Sequence, residues 1–208
     1  MKVVAINGSP NANGNTAAVL KMMCEELEQQ GIETKIIQVG DKLIHGCKGC
    51  GYCSNPKSVG CVIKDDIVNE TVQEMSKADG IILGAPTYYA NIPGTMKSFL
   101  DRVFYSSKGY FKYKVGTAVT TVRRAGGDDV VRQMRNYFEL AEMLVPPSQY
   151  WLAVYGRAPG EVMGDAEGIQ SIRKNAQAMA WLLKVVDEGK KNFPLPESEE
   201  RIFTNFIR

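Results

Sequence analysis

Four of the five cysteines fall within residues 47–61, CKGCGYCSNPKSVGC. Their spacing is Cys47-x2-Cys50-x2-Cys53-x7-Cys61. Thiolates are soft anionic ligands, and four of them suit a [4Fe–4S] cluster or a Zn²⁺ ion. Zinc sites usually take two separated pairs of cysteines. A run of three at i, i+3 and i+6 followed by one more favours iron–sulfur over zinc. The seven-residue gap before Cys61 is longer than the ferredoxin spacing, so cluster-free thiols or a disulfide stay open as the alternative. Gly46, Gly49 and Gly51 let the backbone curl and turn its amides toward sulfur. His45, the only histidine, adjoins the run. It could donate to a cluster sulfur, although a lone loop histidine is more often solvated. Cys24 lies on the apolar face of a helical stretch and reads as a core thiol.

The chain around these thiols is ordinary. It has 208 residues, 44% hydrophobic and 23% charged, which fits one globular domain with a sizeable core. A net charge of +2 and the lack of any Lys/Arg run argue against nucleic acid as a partner. The opening MKVVAING is too short an apolar run for a membrane span or a signal peptide. The expected compartment is the cytoplasm, where thiols stay reduced. Metal or redox chemistry therefore suits the cysteines better than a structural staple.

These residues need elements to hold them. Lys2–Ile6, Thr34–Val39, Gly80–Leu83, Val115–Val122 and Tyr150–Tyr155 read as strands, several of them continuous apolar runs. Between and after them, apolar residues recur at helical spacing: Val19 to Leu27, Ile67 to Met75, Met96 to Phe104, Val130 to Leu144 and Ile169 to Leu183. Alternating strands and helices imply α/β architecture, a parallel sheet covered on both faces. Ligands of such sheets bind beyond the carboxyl ends of the strands. The informative loops should follow strands one, three and four.

The first loop, residues 8–16, reads GSPNANGNT. Gly14 permits a tight turn into the helix. Ser9, Asn11, Asn15 and Thr16 place polar side chains beside free helix amides, which favour an anion. No Lys precedes Thr16, so a triphosphate with Mg²⁺ is poorly served, whereas one terminal phosphate fits. The loop also lacks GxGxxG. The second loop begins at Pro86. Tyr88 and Tyr89 offer flat faces for a conjugated ring, and Thr87 and Asn91 could bond its polar edge. The third, TVRRAGGDD, carries Arg123 and Arg124 for the ring edge or an anionic partner, and Gly126 and Gly127 for close backbone approach.

GSPxxxGNT after the first strand, with PxYYxxxPxxxKxFxDR after the third, resembles the NADPH-dependent FMN reductases of the flavodoxin superfamily. The likeness runs from Lys2 to about Leu183. It implies a flavodoxin-like fold with strand order 2-1-3-4-5. It implies FMN, its phosphate in the first loop and its ring against the second and third. The cysteine segment after strand two is similar to that of the iron–sulfur flavoprotein subgroup. That likeness implies a [4Fe–4S] cluster on Cys47, Cys50, Cys53 and Cys61, exchanging electrons with FMN and a small-molecule acceptor. NAD(P)H or reduced ferredoxin is then the donor, and a homodimer or homotetramer the assembly. No side-chain acid or base is required, because FMN carries the chemistry.

Three alternatives follow from the same residues. One is a cluster-free NAD(P)H-dependent FMN, quinone or nitro reductase. Another is a non-enzymatic carrier like flavodoxin, although such carriers are typically strongly acidic and this chain is near neutral. The last is a regulatory binding protein on the same fold. The expected division is an FMN-binding domain over residues 1–190, with the cysteine insertion at 45–62, and a tail over 191–208. Phe193, Leu195, Ile202, Phe203, Phe206 and Ile207 make the tail too apolar for a free end, so it should dock on its own domain or on a partner chain.

Overall fold

A computed structural model describes residues 1–200, 202–204 and 206. Five strands, β1 (Lys2–Asn7), β2 (Glu33–Gln38), β3 (Gly80–Pro86), β4 (Val115–Val122) and β5 (Ala153–Tyr155), form one sheet. All pairings are parallel, in the order β2-β1-β3-β4-β5. The helices are α1 (Asn15–Glu28), α2 (Val68–Lys77), α3 (Gly94–Ser106), α4 (Gly127–Leu140) and α5 (Ala166–Asn192). No helix among the described residues is long and apolar enough to cross a membrane.

Burial follows the order of strands. The central strands read VVAI, IILGA and VGTAVTTV and are buried on both faces. They need helices above and below. One core joins Ile6, Leu83 and Ala118 to Val72 and Met75 of α2, Phe99 and Val103 of α3, and Met134 and Phe138 of α4. The other joins Val3, Ile82 and Val119 to Leu20 and Met23 of α1, and Ile172 and Met179 of α5. Each large aliphatic side chain so buried contributes roughly 1.5–3 kcal/mol. The strand ends that carry the informative loops are thereby fixed side by side.

Several elements depart from their sequence-predicted bounds; strand three, expected to end at Leu83, runs to Pro86. Strand five was expected from Tyr150 but begins at Ala153. Tyr150 and Trp151 instead pack edge to face, ring centres 4.6 Å apart, and both remain exposed. The fourth helix was expected to reach Leu144 but stops at Leu140, where the chain turns through Glu142 at φ 57°. Leu144 then pairs with Val115 as an isolated parallel bridge. The run Phe138, Leu140, Met143 and Leu144 looks helical by period, yet the open β4 edge offers Leu144 backbone partners. The last helix runs on to Asn192, beyond its predicted end.

The tail leaves the helix at Phe193. Phe193, Leu195, Ile202 and Phe206 are exposed, and Ile207 lies outside the described residues.

Candidate functional site

The first loop is wound by short polar side chains. Asn7 Oδ1 accepts from Ser9 N, Ser9 Oγ from Asn11 N, and Asn11 Oδ1 from Asn13 N. Each closes a turn over two residues, the habit of Asn and Ser in loops. Gln38 at the end of β2 clamps the loop from the side, accepting from Asn7 Nδ2 at 2.6 Å and donating to Ser9 O at 2.7 Å. Behind it the backbone at Gly40 passes so close that an added Cβ would stand 2.2 Å from Ser9 C. The loop delivers the chain to α1, whose first turn has Gly14 as cap, no side-chain cap and no acidic residue. Orphan amides with a positive end dipole and no competing carboxylate suit a phosphate. Ser9 is buried there, whereas Asn11 is exposed. Thr16 is committed elsewhere, its hydroxyl 2.8 Å from that of Thr121 on β4. Asn15 Oδ1 accepts from Gly160 N, tying in the loop after β5.

The second loop is a tight hairpin. Tyr88 and Asn91 exchange both backbone hydrogen bonds, at 3.0 and 2.9 Å. Tyr89 and Ala90 between them sit at φ 50° and 58°. Two successive left-handed residues make a type I′ turn, usually given to Asn and Gly. Placing Tyr there costs backbone strain, which tends to be kept at functional sites. The turn holds Tyr88 half exposed and Tyr89 fully exposed. Thr87 Oγ1 lies 3.0 Å from Thr120 Oγ1, so this hydroxyl secures the loop to β4. Pro86 ends β3 beside it.

The third loop closes on the second. Gly126 is at φ 83°, and a Cβ there would stand 2.7 Å from Ala90 Cβ. Gly127 starts α4 and is buried against Thr120 and Ala153. Arg123 and Arg124 are exposed. The structure thus brings together all three expected loops. It sets the hydroxyls of Thr16 and Thr87 to joining loops to β4, while Tyr89, Asn91 and the two arginines stand exposed and Ser9 is buried beside the α1 amides.

The sequence profile of the NADPH-dependent FMN reductases matches residues 1–157. The chain belongs to that family. Its fold and oxidoreductase character follow. It is 33% identical over 194 residues to an iron-sulfur flavoprotein of Methanocaldococcus jannaschii, covering 89% of this chain and 99% of the relative. An iron-sulfur flavoprotein of Archaeoglobus fulgidus is 34% identical over 203 residues, covering 92% and 98%. A flavodoxin from the domain Archaea shares the fold, with a TM-score of 0.59 at 16% identity over 88% of this chain and 99% of that one.

The connection between β2 and α2 carries the four clustered cysteines. Residues 41–67 hold one 3₁₀ turn, Tyr52–Ser54, and little other regular structure. All four cysteines line a single cavity of about 560 Å³, shared with Lys97, Asp101, Arg102 and Tyr105 of α3. Each is a free thiol. The Cys53 thiol is pushed up, first by burial and then by Cys61, Cys47 and Cys50 nearby. A four-thiol donor set on one cavity fits an iron–sulfur cluster in composition. As they stand, no three His, Cys, Asp or Glu side chains among the described residues form a group that would hold a metal ion.

Side chains the sequence did not single out hold this segment. Asn69 on α2 accepts from Cys61 N at 2.7 Å and donates to Cys61 O at 3.1 Å and Ile63 O at 2.9 Å. Lys108, just past α3, gives its ammonium to the carbonyls of Asn55, Pro56 and Ser58. Arg102 on α3 is almost wholly buried and paired with buried Asp66. It donates Nε to Cys61 Sγ at 3.4 Å, Nη1 to His45 O and Nη2 to Ile63 O, both at 3.1 Å. His45 takes part through that carbonyl, while its exposed ring bonds Gly46 O. The DR pair inside the second motif was the one sequence signal for Arg102. Cys24 is buried as expected, its thiol pushed up by burial.

Proposed function

We propose that the chain is an iron–sulfur flavoprotein that moves electrons between a [4Fe–4S] cluster on Cys47, Cys50, Cys53 and Cys61, FMN, and a small-molecule acceptor. One observation carries this reading. Helix α3 begins three residues after the ring-facing hairpin ends at Asn91, and its side chains at 97, 101, 102 and 105 line the cysteine cavity. At 1.5 Å per residue, the two sites are separated by about two helical turns, on the order of 10 Å. In this reading the amides of α1 and Ser9 bind the phosphate, and Gly126 and Gly127, packed against Ala90 and Ala153 rather than open to the ring, let the third loop close on the second. Tyr88 and Tyr89 cover a face of it, and Asn91, Arg123 and Arg124 meet its edge. FMN accepts a hydride as two electrons and releases electrons singly, and a cluster carries one at a time.

The donor in this proposal is NAD(P)H or reduced ferredoxin, and the compartment is the cytoplasm. Tyr89 and the apolar tail stand exposed in the single chain, which supports a homodimer or homotetramer that covers them. The names of the relatives support the cluster. The test is the absorption spectrum of anaerobically purified protein with iron and sulfide assayed on the same sample. Flavin peaks over a broad shoulder with about four irons per chain would support the proposal. A flavin spectrum without iron after attempted reconstitution would remove the cluster. It would leave the second reading, a cluster-free NAD(P)H-dependent reductase, which the separation of the thiols favours.

A further inference from the structure

A guanidinium has five N–H donors in a fixed planar fork. Arg102 uses all five. Two go to the Asp66 carboxylate, one each to the carbonyls of His45 and Ile63, and one to the sulfur of Cys61. Every acceptor lies between residues 45 and 66, while the donor sits on α3. His45 is two residues before the first cysteine of the segment, and Ile63 two after the last. One side chain therefore closes the segment as a loop, and the same side chain holds the last of its four sulfurs.

The four sulfurs are not equivalent. Cys61 has its sulfur on Arg102 and both its backbone groups on Asn69. Cys47 and Cys50 are exposed, and Cys47 receives a backbone amide, Gly49 N at 3.5 Å. The run from Cys47 to Cys53 includes two left-handed glycines, Gly49 and Gly51. Glycines of that kind leave a backbone free to re-aim.

We infer that Arg102 is a positioning residue, the clasp that closes residues 45–63 and presents Cys61 as the fixed ligand on which the three-cysteine run folds. This deepens the proposed iron–sulfur reading and rests on it only for the identity of the bound group. Asp66 balances the buried charge. Breaking a buried pair by removing one partner is costly, whereas replacing both together is often tolerated. Lys has three rotatable donors instead of five in a fork, so it cannot reproduce the clasp.

The test uses the full metal-free chain and its amide hydrogen exchange. In the double variant Asp66→Asn with Arg102→Gln, exchange at the Cys61 amide, which donates to Asn69 Oδ1, should rise about tenfold or more, while β1 and α5 stay as in the wild type. Unchanged exchange at the Cys61 amide overturns the clasp. If the double variant exchanges faster everywhere, Arg102→Lys carries the test with the same two criteria. A second arm loads the protein anaerobically with iron and sulfide and follows iron loss to a chelator. Arg102→Lys should lose iron about tenfold faster than the wild type, and equal loss also overturns the clasp. A wild type that shows the exchange pattern yet takes up no iron upholds the clasp and sinks the cluster reading.

Discussion

The flavin loops and the cysteine segment both adjoin α3, but they are built by opposite means. The flavin loops are short. They sit at strand ends, and much of their shape comes from backbone: a type I′ turn at Tyr89–Ala90, a left-handed glycine at 126, uncapped amides at α1. The cysteine segment is long and nearly without regular structure. Its backbone groups are satisfied by side chains from outside, Asn69, Arg102 and Lys108. The first kind of site is preformed because the sheet is formed. The second depends on side-chain donors from outside it, of which Arg102 is buried, and among the described residues its thiols form no group that would hold a metal ion. Under the proposed reading, preorganisation in one and adaptability in the other suit a flavin held permanently and a cluster assembled on the chain.

If the two regions are separate in this way, damage should stay where it is made. The largest effect is expected from Cys50→Ser. Iron uptake on reconstitution should fall to near zero while FMN stoichiometry holds. Loss of FMN as well would mean that the two regions fold as one. Gly40→Ala comes next, because its Cβ would overlap the backbone of Ser9 and Gly8. Overpacking against backbone costs about 1–3 kcal/mol or more. FMN affinity should fall with the denaturation midpoint, and a variant with wild-type flavin binding would break the account of the first loop. Gly126→Ala should be milder, at roughly 1–3 kcal/mol for the left-handed backbone and the contact with Ala90. Flavin fluorescence during titration would read it. An unchanged FMN dissociation constant would show that the second and third loops act independently.

The smallest effect concerns a polar contact between α3 and α4 beside the cysteine cavity. Lys97 and Tyr137 both donate to Asp101, at 2.6 and 2.5 Å. The Tyr137 phenol is pushed up to about 12, first by burial and then by Asp101. Its folded value lies above its unfolded one of about 10, so its contribution is whole below pH 10 and lost as pH rises toward 12. The difference in urea midpoint between wild type and Tyr137→Phe should be largest near pH 8 and shrink by pH 11. A difference that does not change with pH would leave Tyr137 without the assigned bond to Asp101.

The contrast also explains what could be read from sequence. The strands, the helices that cover them and the three loops at their ends were legible, because apolar period and turn residues are local signals, whereas the strand order came from the family resemblance. Ser9, Tyr88 and Gly126 lie in the loops in which the sequence placed them. Thr16 and Thr87 sit in the expected loops, but their hydroxyls pair with Thr121 and Thr120. No spacing rule reports which neighbour a hydroxyl finds across a sheet. The cysteines announced themselves by spacing, yet what holds them did not. Arg102 is 41 residues from Cys61 and 36 from Asp66. Contacts at that range depend on how α3 lies against the loop. Leu144 was misjudged for a related reason, since its partner is a strand edge rather than its own helix.

The clustering of all Arg102 acceptors within residues 45–66 has a consequence for protein engineering. The thiol segment is not a portable cassette. Transplanted alone onto a cluster-free flavin reductase, it would bring Asp66 and several carbonyls to a surface with no cation to receive them. A graft would need the matching arginine and lysine on the host's third helix and the turn after it. By the same logic, a lineage could lose its cysteines one at a time and still keep the loop's shape, for as long as that arginine remained.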